Sequence, residues 1–333
     1  MKTIVISAPY ILPFIDRFRP VFAHYDLELI LPTVHERLSE TELLQLAGKF
    51  DGIICGDDRF TEKVIQQCAP RLKVIAKWGT GIDSIHKAAA ERHGVKIRNT
   101  VNAFTMPVAD TVMGYMLAFA RNIPWMDNYM KAGKWEKVAG ASLFECTLGV
   151  IGLGNVGKAV IRRARAFGME LLGNDIVPIA PDFVAENGVE MTGLSDLLRR
   201  SDFISLNCDL NSTSYHLINA KTLAEMKPTA VLINTARGPI IDEPALVNSL
   251  QKGLASFKKH GKTMEGIHGV GLDVFEVEPL PLDSPLLKLE NALLAPHNSN
   301  SSPQSWERVH RNTIRGLLEG MDIPCDDLDR IFP

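Results

Sequence analysis

Leu148-Gly-Val-Ile-Gly-Leu-Gly-Asn-Val-Gly157 decides how the rest of the chain is read. An apolar strand-like run, Leu148–Ile151, enters a glycine triplet at Gly152, Gly154 and Gly157. A helix-like run from Lys158 to Phe167 leaves it, and Asp175 ends the next apolar stretch. Each part has a physical task. The first glycine permits a tight turn, the second lets a pyrophosphate approach the backbone, and the third lets helix and strand pack closely. The acid then takes the ribose hydroxyls. A bare strand–helix turn with a capping Asp is the bland alternative. All four parts in order favour a dinucleotide site. Asp175 repels a ribose 2′-phosphate, and Ile176-Val-Pro178 offers no cation to hold one, so NAD is expected rather than NADP.

Working outward, 333 residues suit two domains, and 46% hydrophobic residues suffice for real cores. A net charge of −3 without a long basic run argues against a nucleic-acid partner. The cysteines, at 55, 68, 146, 208 and 325, form no CxxC. They read as free thiols of a cytoplasmic protein, with no disulfide framework and no metal site. Met1–Ser7 reads as a first strand rather than an export signal, and no stretch is apolar enough to span a bilayer.

The first hundred residues alternate strands with helices. Residues 3–7, 27–31, 51–55, 72–76 and 95–98 read as strands. Residues 36–50, 61–67 and 84–93 read as helices, and the alternation implies a covered parallel sheet. A long apolar helix is expected over 107–121 and another over 125–135. A second series has strands at 148–151, 170–174, 203–207, 230–234, 269–274 and 292–295. A last helix, 303–319, is placed back on the first domain.

Ligands of such sheets sit beyond the carboxyl ends of the strands. Three of those ends carry chemistry. One runs into Thr235-Ala-Arg237-Gly-Pro, one into Asp273-Val-Phe-Glu-Val-Glu278-Pro, and one into Pro296-His297-Asn298. An Arg fork holds a carboxylate bidentately. A His exchanges the proton that accompanies a hydride, and a carboxylate orients the ring. Each also has a plain structural reading, as a turn Arg, a strand-end His and a solvated acid. In the first domain, Lys77-Trp-Gly79-Thr80-Gly81-Ile-Asp83 follows a strand, and amides of such a turn can meet an anion.

Together these motifs resemble the D-isomer-specific 2-hydroxyacid dehydrogenase family, nearest its D-3-phosphoglycerate dehydrogenase branch. The matching pieces are Lys77–Asp83, Val108-Ala-Asp110, Gly152–Gly157, Asn234–Pro239, Gly271–Glu276 and Ala295-Pro-His297. The resemblance implies two doubly wound α/β parallel-sheet domains with a cleft between them. A Rossmann NAD-binding domain would span 102–296. A discontinuous flavodoxin-like substrate domain would span 1–101 and 297–333. It further implies a homodimer built on the long helix and a small 2-hydroxy or 2-keto acid substrate. By residue it makes Arg237, Glu278 (rather than Glu276) and His297 catalytic. It places the cofactor at Gly152, Gly154, Asn155, Val156, Gly157, Asp175, Cys208, Thr235, Ala236 and Asp273. Substrate falls on Thr80, Gly81 and Arg237. The alternative class is a NAD-sensing corepressor-like interaction protein.

The departures from the family concern the substrate. After the strand at 51–55, phosphoglycerate enzymes carry Arg-Ser, whereas this chain has Cys55-Gly56 and then Asp57-Asp58. Two acids there disfavour a phosphorylated substrate and favour a hydroxyl-rich or cationic tail. Asp209 replaces the usual Pro after Cys208, and Asn298–Ser301 replaces small residues with glycine. Extra length at 254–265 is expected to form a surface loop.

Overall fold

Short runs of β-branched and aliphatic residues set the strands, and the central strands of each sheet are buried on both faces, as parallel sheets require, while the edge strands are partly open. In the computed structural model, which describes all 333 residues, the chain divides into two units. Unit 1 comprises Met1–Phe104 with Ser302–Pro333, and unit 2 comprises Thr105–Ser301.

Unit 1 holds five parallel strands: β1 (Lys2–Ile6), β2 (Leu27–Ile30), β3 (Gly52–Cys55), β4 (Val74–Lys77) and β5 (Lys96–Asn99). Their order is β2-β1-β3-β4-β5, the flavodoxin-like order. The helix Pro303–Gly320 returns across β3, β4 and β5. It approaches so closely that a Cβ on Gly320 would lie 2.3 Å from Val74 Cγ2.

Unit 2 holds seven parallel strands: β6 (Thr147–Ile151), β7 (Glu170–Asn174), β8 (Val189–Met191), β9 (Phe203–Leu206), β10 (Val231–Asn234), β11 (Gly269–Leu272) and β12 (Ala292–Leu294). The order β12-β11-β10-β9-β6-β7-β8 reverses direction of travel between β6 and β9, which makes that gap the topological switch point. The long helix Thr105–Ala120 buries Val112, Met116 and Phe119 in this unit, and Asp110 pairs with Arg163 Nε at 2.7 Å. No helix is long and apolar enough to cross a membrane.

Four expectations need correction. A helix at Ile15–His24, absent from the sequence reading, buries Ile15, Phe18, Val21 and Phe22 along one face despite Pro20. The strand β8 is an additional, three-residue edge strand. Residues 254–265 are not simply a loop, because the helix Glu243–His260 runs through most of them and stops at Gly261 with φ +69°. The helix expected over 36–50 is only Glu40–Leu46, started by a capping box between Ser39 and Glu42.

Candidate active site

The glycine turn sits at the switch point, immediately after β6. Gly152 has φ +88°, and a Cβ there would lie 2.5 Å from the Cys208 amide nitrogen. At Gly157 a Cβ would lie 2.1 Å from the Gly152 carbonyl oxygen. These two glycines are required by the protein's own packing. Gly154 differs: a Cβ there would meet nothing within 4 Å. It caps the helix Asn155–Ala166, whose first amides receive no side-chain cap. An exposed, unobstructed backbone at a helix N-terminus fits a pyrophosphate. Asn155 and Val156 are the first residues of that helix.

Asp175, just past β7, is tied to the same turn. Its Oδ2 accepts from the Leu153 amide at 2.6 Å and its Oδ1 from the Val177 amide at 2.9 Å. The acid is thereby held over the glycine loop, as the spacing of the motif requires. Ile176 and Val177 beside it are 76% and 61% exposed, an apolar margin suited to an adenosine.

Two buried polar atoms along the same rim have no partner in the protein: Asn207 Oδ1 after β9 and Thr235 Oγ1 after β10. Buried polar atoms are seldom left unpaired, so both fit an incoming polar ligand. Asn207 was not singled out from sequence, and only its neighbour Cys208 was. Burial pushes the Cys208 thiol up to about 11, so it stays a neutral wall. The Ala236 amide donates to Asn234 Oδ1 at 3.0 Å, which shapes the turn leading to Arg237. These residues fit a dinucleotide across the carboxyl edge of β6, β7, β9 and β10.

Arg237, Glu278 and His297 come from the ends of β10, β11 and β12. His297 Nδ1 meets Glu278 Oε2 at 2.9 Å, and both side chains are about a quarter exposed. Glu278 Oε1 accepts from the Phe275 amide at 3.0 Å, so the carboxylate is held from both sides. The Arg237 turn is pressed onto the same loop. A Cβ on Gly238 would lie 1.9 Å from the Phe275 carbonyl carbon, so only glycine allows the approach. Arg237 Nη1 also donates to the Ala236 carbonyl at 2.7 Å.

Asp273 organises the His297 loop. Its carboxylate, wholly buried, accepts from the Asn298 amide at 2.7 Å and the Ser299 amide at 2.9 Å. Its own carbonyl accepts from the His297 amide at 2.8 Å. Burial raises its pKa, against the lowering effect of those donors and of His297. This fixes a strained His297 backbone with φ +51°. The departure Asn298–Ser301 thus includes two amides that hold the loop.

A second imidazole–carboxylate pair was missed from sequence. His216 Nε2 bonds Glu276 Oε1, and the Glu276 amide donates to Glu243 Oε2 at 3.3 Å. Tyr215 stacks on His216 with centroids 4.1 Å apart. The two closely spaced acids, Glu276 and Glu278, were the available signal that this segment meets more than one partner.

In unit 1, the loop after β4 is pinned to the end of β5. The Gly79 amide donates to Thr100 Oγ1 at 3.1 Å, and Thr80 Oγ1 donates to the Thr100 carbonyl at 2.9 Å. Asn99 Nδ2 donates to the Thr80 carbonyl at 2.6 Å. The amides of Thr80 and Gly81 donate no hydrogen bond within the protein, as anion donors would not.

The two acids after β3 do not act as the sequence suggested. Asp58 is fully buried and accepts from Ser7 Oγ and from the Leu38 amide. Burial pushes it up to about 6. Asp57 pairs with Lys77 Nζ at 2.9 Å. One acid is structural and the other is matched by a cation, so this place carries no doubly negative field.

The sequence model of the D-isomer specific 2-hydroxyacid dehydrogenase NAD binding domain matches residues 113–299. A glyoxylate reductase of Korarchaeum cryptofilum is 39% identical over 258 residues, covering 76% of this chain and 74% of that protein. A D-3-phosphoglycerate dehydrogenase of Methanocaldococcus jannaschii is 39% identical over 332 residues, covering 93% of this chain and 60% of that protein. The chain therefore spans less than two thirds of this second relative. The solved D-lactate dehydrogenase from Aquifex aeolicus, complexed with NAD and lactic acid, superposes with a TM-score of 0.80 at 27% identity, covering 96% of this chain and 97% of that one. The chain belongs to the D-isomer specific 2-hydroxyacid dehydrogenase family, whose cofactor is NAD.

Proposed function

We propose that this D-isomer specific 2-hydroxyacid dehydrogenase interconverts a small, unphosphorylated 2-keto acid and its D-2-hydroxy acid. The observation that carries the reading is the 2.9 Å contact of His297 Nδ1 with Glu278 Oε2 at the ends of adjacent strands. When bound, NADH or NAD donates or accepts the hydride.

Every other task falls to side chains and amides of the chain. Glu278 holds Nδ1, which fixes the ring and makes Nε2 the nitrogen that exchanges a proton. In reduction Nε2 gives that proton to the carbonyl oxygen. In oxidation it takes the hydroxyl proton. The Arg237 fork holds the substrate carboxylate and draws charge from the adjacent carbonyl. The amides of Thr80 and Gly81 supply further donors for an anionic substrate. Gly152, Gly154, Asn155, Val156, Gly157 and Asp175 hold the adenosine and pyrophosphate end. Cys208, Thr235, Ala236 and Asp273 border the nicotinamide end.

The substrate class rests on the loop after β3. Lys77 is the cation beside it and is committed to Asp57, so a phosphate would break an existing ion pair. The similarity to a glyoxylate reductase over most of both chains supports the same choice. NADH oxidation with glyoxylate, hydroxypyruvate and phosphohydroxypyruvate tests it. We expect kcat/KM for the unphosphorylated acids to exceed that for the phosphorylated one by at least about tenfold. A clear preference for the phosphorylated acid defeats the assignment.

A homodimer belongs to the same proposal. Ile123, Met130, Trp135 and Phe144, which follow the long helix, are all at least half exposed, with Trp135 at 85%. Large apolar side chains exposed in this way favour an interface. Sedimentation of a single monomeric species would remove this part.

A further inference from the structure

Unit 1 carries a groove lined by several polar side chains, none of them assigned to substrate or cofactor contact. It lies between the edge strand β5 and the helix Pro303–Gly320, with a volume of about 190 Å³. Its walls include Arg98, Asn99, Asn312, Thr313, Arg315 and Glu319. That volume equals the share of about six waters in the liquid, enough for a small organic acid.

Three features point to a ligand. Thr313 is 2% exposed, and its hydroxyl has no hydrogen-bond partner. A buried hydroxyl left unpaired lowers stability unless something else meets it. Arg98 stands exposed on the edge strand, and its guanidinium takes part in none of the molecule's ion pairs. Its stem crosses the helix where Gly316 leaves it bare, since a Cβ there would lie 3.2 Å from Arg98 Cβ. Arg315, on the facing helix, is oriented through Nη2 by Asp329 at 2.6 Å.

We propose that this groove binds a small hydroxylated oxyanion, a phosphate ester or a dicarboxylate. Arg98 and Arg315 take the oxyanion from the strand side and the helix side. The Thr313 hydroxyl completes its hydrogen bonding on the ligand. Glu319 accepts from the ligand's hydroxyl and discriminates against an anion lacking that donor. None of the groove's lining residues is among those assigned to substrate or cofactor, so direct titration reads its occupancy independently of turnover.

Calorimetric titration of the full chain with glycerol phosphate and with 3-hydroxyglutarate tests it. Neither probe is a 2-hydroxy acid. We expect saturable binding of at least one, and the probe that binds identifies the oxyanion. Arg98→Gln and Thr313→Val should each weaken it by about tenfold, with Arg237→Ala unchanged. Thr313→Val should also melt no lower than the parent without ligand, which separates lost binding from lost fold. Absence of saturable binding by both probes overturns the proposal. So does parental affinity in either groove variant, or loss of binding in Arg237→Ala.

Discussion

Glu276 and Glu278, separated by one residue, end on different imidazoles: Glu278 on His297 and Glu276 on His216. The segment after β11 therefore supports two pairs. One belongs to the proposed chemistry, and the other anchors the segment that carries it.

His216→Ala tests that anchoring. Glu276 would lose its side-chain partner, and the Glu278 loop would be held by the Phe275, Glu243 and His297 contacts without it. We expect kcat to fall by about tenfold, since small misplacements of reacting groups are expensive. NADH affinity, measured by fluorescence titration, should hold.

Glu278→Gln acts on the proton-exchanging ring itself. An amide cannot replace the carboxylate that supports the imidazolium. We expect kcat to fall on the order of 10²-fold while NAD binding is retained. Steady-state kinetics with direct cofactor titration separates the two effects.

The glycines divide by what they approach. Gly157→Ala would place a Cβ 2.1 Å from a backbone oxygen, so we expect a loss of more than about 2 kcal/mol in urea denaturation. Gly154→Ala meets only open space. It should melt within about 2 °C of the parent. Its NAD dissociation constant should nevertheless rise by more than about tenfold, because the methyl occupies the approach to the backbone.

Burial raises Asp58 from 3.8 to about 6, so the fold favours the protonated acid. The associated stability is fully present below the unfolded value and is lost as pH rises through about 6. Asp58→Asn keeps an acceptor for the Leu38 amide and a donor for Ser7, and it removes the titration. Urea denaturation from about pH 4 to about pH 8 should show the variant gaining up to about 3 kcal/mol on the parent as pH rises. Parallel curves would contradict this.

Sequence and structure agree best where information is local. The turn from Leu148 to Gly157 and the acid at Asp175 form one strand–turn–helix–strand unit, so spacing alone placed them. The strand ends bearing Arg237, Glu278 and His297 were legible for the same reason, because the alternation fixes which end faces the ligand. Pro20 concealed the helix Ile15–His24, whose stability comes from Phe18 and Phe22 packing in the core. The lysines at 258, 259 and 262 suggested a loop, but Leu246, Leu250 and Gly253 on the buried side carry the helix through to His260. Asp57 and Asp58 could not be told apart, since their partners Lys77, Ser7 and Leu38 come from distant strands and loops. Thr313 gave no signal, because an unpaired hydroxyl is a property of the packed helix.

The central claim is that His297 exchanges the substrate proton in an NAD-dependent interconversion of a small 2-keto acid. Its most direct test is glyoxylate reduction by His297→Ala, with NADH affinity measured on the same sample. The account predicts a fall in kcat on the order of 10²-fold to 10⁴-fold with NADH binding unchanged. A variant that binds NADH and turns over glyoxylate at a rate near the parent's would contradict it.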